Sequence, residues 1–375
     1  MLKTIGKKIL KNSDFVRNNY IKILTKKRVY NANHKKTPQS LVFFVTSRCN
    51  ARCSHCFYWK ELNKTSELNL EDIEKIASSI KHKYNISLTG GEPFLREDFF
   101  EICKIFYKYN KNGVFEISTN GYDPEKIYTF CDRLLDECRG IALCVHVSLD
   151  GPKDLHNKIR GIDIFDKAIS TIIKLKSLKE KGNFDVQTII TLTKYNYKSI
   201  DKLIKYLIPL EINQIFCLVR AKDYGVYNLD HEIVTELTSK EELAIPTEEL
   251  DTLFNKIKEL NDNSEYPFWS KYQQLYLKYS IEITKNKKRF LKCYAGNVDA
   301  VIYPNGDISL CEMIKPFGNL KETDFNLYKI WNSEKANNMR DKIKSCVCTH
   351  GCNMSTNITL DKDSILKVYN NEKIN

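Results

Sequence analysis

The sequence predicts an α/β fold built on a parallel sheet. Two observations carry this: from residue 41 short apolar runs alternate with segments of helical period, and polar or glycine-bearing turns close the runs. A third marks where the chemistry sits. Directly after the first run comes Cys49-Asn50-Ala51-Arg52-Cys53-Ser54-His55-Cys56, three thiols on one loop at the C-terminal end of a strand, the end where α/β folds gather function.

The runs Leu41 to Thr46, Asn85 to Thr89, Gly113 to Ser118, Leu143 to Leu149, Phe184 to Leu192 and Gln214 to Val219 read as strands. Helical patterns lie between them near 70–82, 97–110, 123–137, 163–181 and 198–208. The first puts Leu70, Ile73, Ile76, Ala77 and Ile80 on one face, with Asn69 placed to cap it.

Three thiols at this spacing suit soft metal chemistry, and a loop that gives three ligands leaves the fourth corner of a [4Fe–4S] cube open. After the second strand, Gly90-Gly91-Glu92-Pro93 combines glycines that permit close backbone approach with a carboxylate able to accept from an ammonium group. The third strand ends in Ser118-Thr119-Asn120-Gly121. The fourth ends in Ser148-Leu149-Asp150-Gly151, followed by His156, read as a surface residue, and Arg160. Cys103, Cys131, Cys138, Cys144 and Cys217 stand singly and read as buried free thiols.

Past Arg220 the alternation fails, and residues 221–285 read as a connector or substrate-facing insertion with helix-like segments near 247–261 and 268–281. A new composition starts at Cys293. Pro304-Asn305-Gly306 lies between two β-rich runs and predicts a tight hairpin that brings Cys293 and Cys311 together. Cys346-Val347-Cys348-Thr349-His350-Gly351-Cys352 then offers the remaining thiols. Five cysteines from 293 onward are enough for one four-thiolate cluster, read as Cys293, Cys311, Cys348 and Cys352 with Cys346 as the substitute; tetrahedral zinc is the alternative.

Bulk properties narrow the class. The chain is 42% hydrophobic and 28% charged, and no apolar run reaches the roughly 18 residues of a membrane span, so a cytoplasmic protein is expected. Thirteen cysteines in that setting point to metal rather than disulfides. The net charge of +12 is concentrated at the start: residues 1–36 hold eleven lysines and arginines against one acid, Asp14. Leu2, Ile5, Ile9, Phe15, Val16, Tyr20, Ile21 and Leu24 lie among them at loosely helical spacing. This reads as an amphipathic arm packed on the barrel, with peripheral attraction to an anionic membrane or an acidic substrate as the other reading. Because lysine and asparagine are abundant throughout, the charge carries no specific nucleic-acid signal.

The Cys49–Cys53–Cys56 spacing resembles the C-x3-C-x2-C signature of radical S-adenosylmethionine (SAM) enzymes. The resemblance implies a partial (β/α)6 TIM-like barrel and a [4Fe–4S] cluster whose fourth iron chelates SAM. Reductive cleavage of SAM would then give a 5′-deoxyadenosyl radical that takes hydrogen from a substrate. It implies that Gly90, Gly91, Glu92 and Pro93 meet the methionyl amino group, Ser118 and Asn120 the ribose, Ser148 and Arg160 the carboxylate, and Ile190 the adenine. His55 stands where the family usually has an aromatic residue. The C-x12-G-x4-C spacing from Cys293 through Gly306 to Cys311 resembles the SPASM and twitch auxiliary-cluster domains, which implies a second [4Fe–4S] cluster, and Glu312 falls where some peptide-oxidising relatives carry a base. The implied partners are a peptide or small-molecule substrate and a reductant such as flavodoxin or ferredoxin. The division expected is 1–40 arm, 41–220 barrel, 221–285 connector, 286–360 auxiliary domain and 361–375 tail.

Overall fold

The structure, a computed structural model, describes residues 14–64, 66–220, 225–230, 232–235, 242–261 and 267–374. The arm's first apolar and basic residues, Leu2 to Lys11, lie outside them.

Six parallel strands follow one another in sequence order: β1 (Ser40–Thr46), β2 (Asn85–Gly90), β3 (Val114–Thr119), β4 (Ala142–Ser148), β5 (Phe184–Leu192) and β6 (Asn213–Leu218). Helices α2 (Leu70–Ser78), α3 (Phe99–Tyr109), α4 (Pro124–Glu137), α5 (Lys153–Arg160), α6 (Phe165–Lys176) and α7 (Ile200–Leu207) connect them, and α1 (Asp14–His34) precedes them. Helix starts are written locally: the Asn69 side chain accepts from Asp72 N at 2.9 Å, and Asp123 caps α4, whose first residue is Pro124.

Strand period decides what faces where. Phe43, Leu88, Ile117, Val147 and Ile190 are fully buried in the row that meets the helices. The alternate row, including Glu116, Ser118, Cys144, His146, Ser148, Ile189 and Thr191, faces inward and is largely polar from β3 to β5. Ile190, expected at the adenine, therefore belongs to the helix-facing core, and its neighbour Ile189 is the residue of β5 that faces inward.

The C-terminal hairpin is not separate from this sheet. Strand β7 (Asp299–Ile302) pairs in parallel with β1, Leu41 opposite Ala300, and β8 (Asp307–Ser309) and β9 (Gly318–Asn319) add antiparallel beyond it. The nine strands run β6-β5-β4-β3-β2-β1-β7-β8-β9 without closing. At the β6 end the backbone is covered by α9 (Pro267–Asn286), whose Gln273 Oε1 accepts from Phe216 N at 3.3 Å; α8 (Leu250–Asn261) precedes it. Helices α10 (Leu327–Trp331), α11 (Glu334–Ile343), α12 (Gly351–Leu360) and α13 (Lys362–Tyr369) complete the chain. The expected tail thus contains a helix. The arm differs too: α1 packs on α12 and α13 rather than on the barrel, through Ile21, Thr25 and Ala32.

Candidate functional site: two cysteine centres joined across the sheet

The cysteine loop leaves β1 where its register with β2 shifts between Phe44 and Thr46. Three anchors hold it. Arg48 is paired with Glu67 at 2.9 Å, Cys49 N donates to Asn63 Oδ1 at 3.0 Å, and the amides of Arg52 and Ser54 donate to the carbonyls of Arg160 and Ile159 at the end of α5.

The Gly90-Gly91 turn lies against this loop. Gly91 N donates to Thr46 O at 2.8 Å and Glu92 N to Arg48 O at 2.7 Å. A Cβ on Gly90 would collide with the Thr46 carbonyl, and one on Gly91 with the Arg48 carbonyl, so the glycines serve the approach of two loops to each other. Glu92 is thereby turned inward. Its carboxylate accepts from Thr119 Oγ1 at 2.8 Å and Asn120 N at 2.7 Å, and burial pushes it up to about 7. Among the described residues it has no cation within ion-pair distance. A buried carboxylate bonded only to neutral donors fits the ammonium group of SAM. Asn120 also donates to Asn50 Oδ1 at 2.7 Å, which ties the third strand to the cysteine loop. Ser118 and Ser148 end the inward rows of β3 and β4.

Arg160 is already engaged. Its Nη2 lies 2.7 Å from Asp150 Oδ2, and its Nη1 donates to Cys53 Sγ at 3.6 Å. Asp150 is fully buried, accepts from Thr191 N at 2.9 Å and lies 3.8 Å from His55 Nε2. His156, expected at the surface, is fully buried and accepts from Asp150 N through Nδ1 at 3.0 Å. Burial holds His55 and His156 down at about 4. Asp150 is thus the hub of the rim, meeting Arg160, His55, His156 and Thr191. The signal for it was legible in outline: His156 and Arg160 are four apart, so one helix face carries both.

At the second centre, Cys293, Cys311, Cys346 and Cys348 converge. Cys346 and Cys348 share a hydrogen bond that lowers Cys348, and burial followed by the Cys348 charge raises both Cys293 and Cys311. N–H groups point at the sulfurs: Asn353 Nδ2 donates to Cys311 at 3.2 Å, and Ala295 N donates to Cys293 at 3.5 Å. Cys352 lies elsewhere, its Sγ 3.6 Å from Glu312 Oε2. The structure therefore gathers Cys346, not Cys352, with the other three thiols.

Sulfur spacing separates cluster from zinc. A tetrahedral zinc with bonds of about 2.3 Å holds its sulfurs about 3.8 Å apart. Among the described residues, the one trio of donors within 4.8 Å of one another is Glu312, His350 and Cys352, so neither cysteine set closes around a single ion. That trio is itself an ion-pair network. Arg220 Nη2 lies 3.0 Å from Glu312 Oε2, and His350 Nε2 lies 2.7 Å from the same oxygen. Burial alone would raise the Glu312 carboxyl, but Arg220 and His350 outweigh it and hold it far below the carboxylate range. A carboxylate so occupied is an anchor and a poor base.

Arg220 also joins the centres. It follows β6, its guanidinium lies 4.1 Å from the centroid of the Phe57 ring, and Phe57 follows Cys56 as Glu312 follows Cys311. Sequence reasoning missed it because its partners are 92 and 163 residues away.

Residues 43–207 match the family described as the radical SAM superfamily, and residues 293–353 match one described as an iron–sulfur cluster-binding domain, SPASM. A GTP 3′,8-cyclase of Haemophilus influenzae is 33% identical over 135 residues, covering 34% of this chain and 38% of that protein. The Fe-coproporphyrin III synthase of Methanosarcina barkeri is 29% identical over 203 residues, 50% of this chain and 48% of its own. The chain thus spans half or less of these curated relatives. Among solved structures, anSMEcpe with bound AdoMet superposes with a TM-score of 0.56 at 20% identity, covering 80% of this chain and 82% of that one. SuiB of Streptococcus suis bound to the precursor peptide SuiA gives 0.54 at 19%, covering 90% and 76%. At these identities the likeness is one of fold. With both domains matched in order along a sheet that carries both cysteine centres, the chain belongs to the radical SAM superfamily: it is an enzyme that binds SAM and iron–sulfur clusters and carries a C-terminal SPASM domain.

Proposed function

We propose that the enzyme carries out an oxidative or cross-linking modification of a peptide or small metabolite, held between the two cysteine centres. The observation that carries this reading is the Phe57–Arg220–Glu312–His350 chain of contacts, which links the residue after Cys56 to the residue after Cys311 and so sets the two centres beside each other. When bound, a three-thiolate [4Fe–4S] cluster with SAM at its open iron supplies one-electron reductive cleavage of SAM and hydrogen abstraction from a substrate carbon.

The residues divide the remaining work. Cys49, Cys53 and Cys56 hold the first cluster, and Glu92 receives the SAM ammonium. Asn120, Ser118 and Ser148 offer hydrogen bonds along the inward rim. Asp150 holds Arg160 in place, and Arg160 presents its positive charge to Cys53 and the SAM carboxylate. Cys293, Cys311, Cys346 and Cys348 hold one auxiliary [4Fe–4S] cluster, fully ligated and so suited to accept an electron rather than to bind substrate. Arg220, partly exposed and stacked on Phe57, anchors an acidic or hydrogen-bonding group of the substrate, with Glu312 fixing its orientation. A reductant of the flavodoxin or ferredoxin type supplies the electron.

The test is formation of 5′-deoxyadenosine from SAM under dithionite. The reconstituted enzyme should form it and Cys53→Ala should not. Arg220→Gln should retain cleavage, with methionine and 5′-deoxyadenosine released at the wild-type rate in the absence of substrate. Cleavage surviving in Cys53→Ala would refute the assignment.

A further inference from the structure

Helix α1 carries its apolar residues on the wrong side for a packed arm. Ile21, Thr25 and Ala32 face the protein, whereas Phe15 is 77% exposed, Ile23 66% and Tyr30 61%. Of the fourteen large hydrophobic residues exposed among the described residues, five lie on these 21 residues (Phe15, Val16, Tyr20, Ile23 and Tyr30), a density that scattered surface residues do not reach. Val16, Tyr20, Ile23, Lys27 and Tyr30 are spaced by four, three, four and three, so they form one outward stripe about 21 Å long at 1.5 Å per residue. Lys22 and Lys26 run along its flank beside Phe15. The Arg17–Asn370 hydrogen bond, 2.8 Å, brings a further half-exposed aromatic pair, Phe268 and Tyr369, next to the start of the helix.

We infer that this face of α1 docks the enzyme on an anionic membrane surface. An apolar line interleaved and flanked with lysines is what an interfacial helix needs: side chains such as Ile23 and Tyr30 enter the headgroup boundary while ammonium groups meet lipid phosphates. The alternation of sign-bearing and apolar groups argues against a second copy of this chain. A parallel two-fold pair along the stripe would set Lys26 and Lys27 against the same lysines of its mate, and an antiparallel pair would leave them with no acidic partner on the stripe. No helix among the described residues is long and apolar enough to cross a membrane, so the contact is peripheral. The stripe is turned away from α12 and α13, against which the Ile21–Thr25–Ala32 face packs, and the inference stands apart from the chemistry of both cysteine centres.

Flotation of the full chain with vesicles tests it. Wild type should float with phosphatidylcholine vesicles containing about 30 mol% phosphatidylglycerol, stay behind with pure phosphatidylcholine, and be released by about 0.5 M salt. Ile23→Asp and the Lys26→Glu/Lys27→Glu pair should each cut the bound fraction at least about tenfold, with unchanged melting temperature and unchanged SAM cleavage, since both sites point outward. Failure of wild type to float with anionic vesicles overturns the inference, as does flotation that survives both variants. So does a wild-type dimer, or a complex with an acidic flavodoxin, that Ile23→Asp dissociates while vesicle binding is untouched.

Discussion

The two cysteine centres are assembled in opposite ways. The first comes from eight consecutive residues on one loop, pinned to a glycine turn and the end of a helix. The second draws Cys293, Cys311, Cys346 and Cys348 from a span of 56 residues, across a hairpin, the helices α10 and α11 and a loop. The first offers three thiols and a buried carboxylate with no cation; the second offers four thiols ringed by N–H donors. Three ligands leave room for SAM, and four close a site. The difference in assembly predicts a difference in roles, with chemistry at the first centre and electron storage at the second.

The largest effect should come from the rim of the first centre. Asp150→Ala leaves Arg160 buried without its partner, which should cost about 3–5 kcal/mol in urea unfolding. Glu312→Ala is the matched change at the second centre; it leaves the buried His350 without its partner, but Arg220 is partly exposed and can turn to solvent, so its cost should be smaller, about 1–3 kcal/mol. Equal costs would break the contrast.

Asp299, on the strand that joins the centres, gives a pH test. Burial pushes its carboxyl up to about 7 from 3.8, and its Oδ1 accepts from Thr356 Oγ1 at 3.2 Å. The folded chain keeps this proton over a range where the unfolded chain has lost it, so stability contributed here is full below about pH 4 and falls as pH rises towards 7. Asp299→Asn should therefore be more stable than wild type at pH 8, by at most about 4 kcal/mol, with the gap closing by about pH 4. A gap that widens in acid would reverse the assignment.

The smallest effect sharpens the first centre. Glu92→Gln should weaken SAM about tenfold by calorimetry, roughly the loss of one charge-assisted bond. Because burial holds Glu92 at about 7, wild-type affinity should rise between pH 6 and pH 8 as the carboxylate ionises, while the variant stays flat.

What the sequence disclosed follows the same division between local and distant. Strands β1 to β6, five of the six helices between them, the Cys49 loop and the Gly90-Gly91-Glu92 turn were legible, because period and motif are written within a few residues; α5 (Lys153–Arg160), only eight residues long, was not. Ile190 was misplaced because Val186 to Leu192 does not alternate cleanly, and only the register with β4 and β6 shows that Ile189 faces inward. His156 looked like a surface residue until Asp150 gave it a buried partner. The pairing of β7 with β1, the outward turn of Phe15 and Ile23, and the convergence of Cys346 with Cys293 and Cys311 depend on contacts tens to hundreds of residues apart, which no local pattern records.

Iron and sulfide content after anaerobic reconstitution tests the two-centre account most directly, measured on wild type, on a Cys49, Cys53 and Cys56 to Ala triple variant, on Cys346→Ala and on Cys352→Ala. About eight irons are expected for wild type and Cys352→Ala, about four for the triple variant, and a drop towards four for Cys346→Ala. Eight irons retained in Cys346→Ala with loss in Cys352→Ala, or zinc in place of iron at either centre, would contradict it.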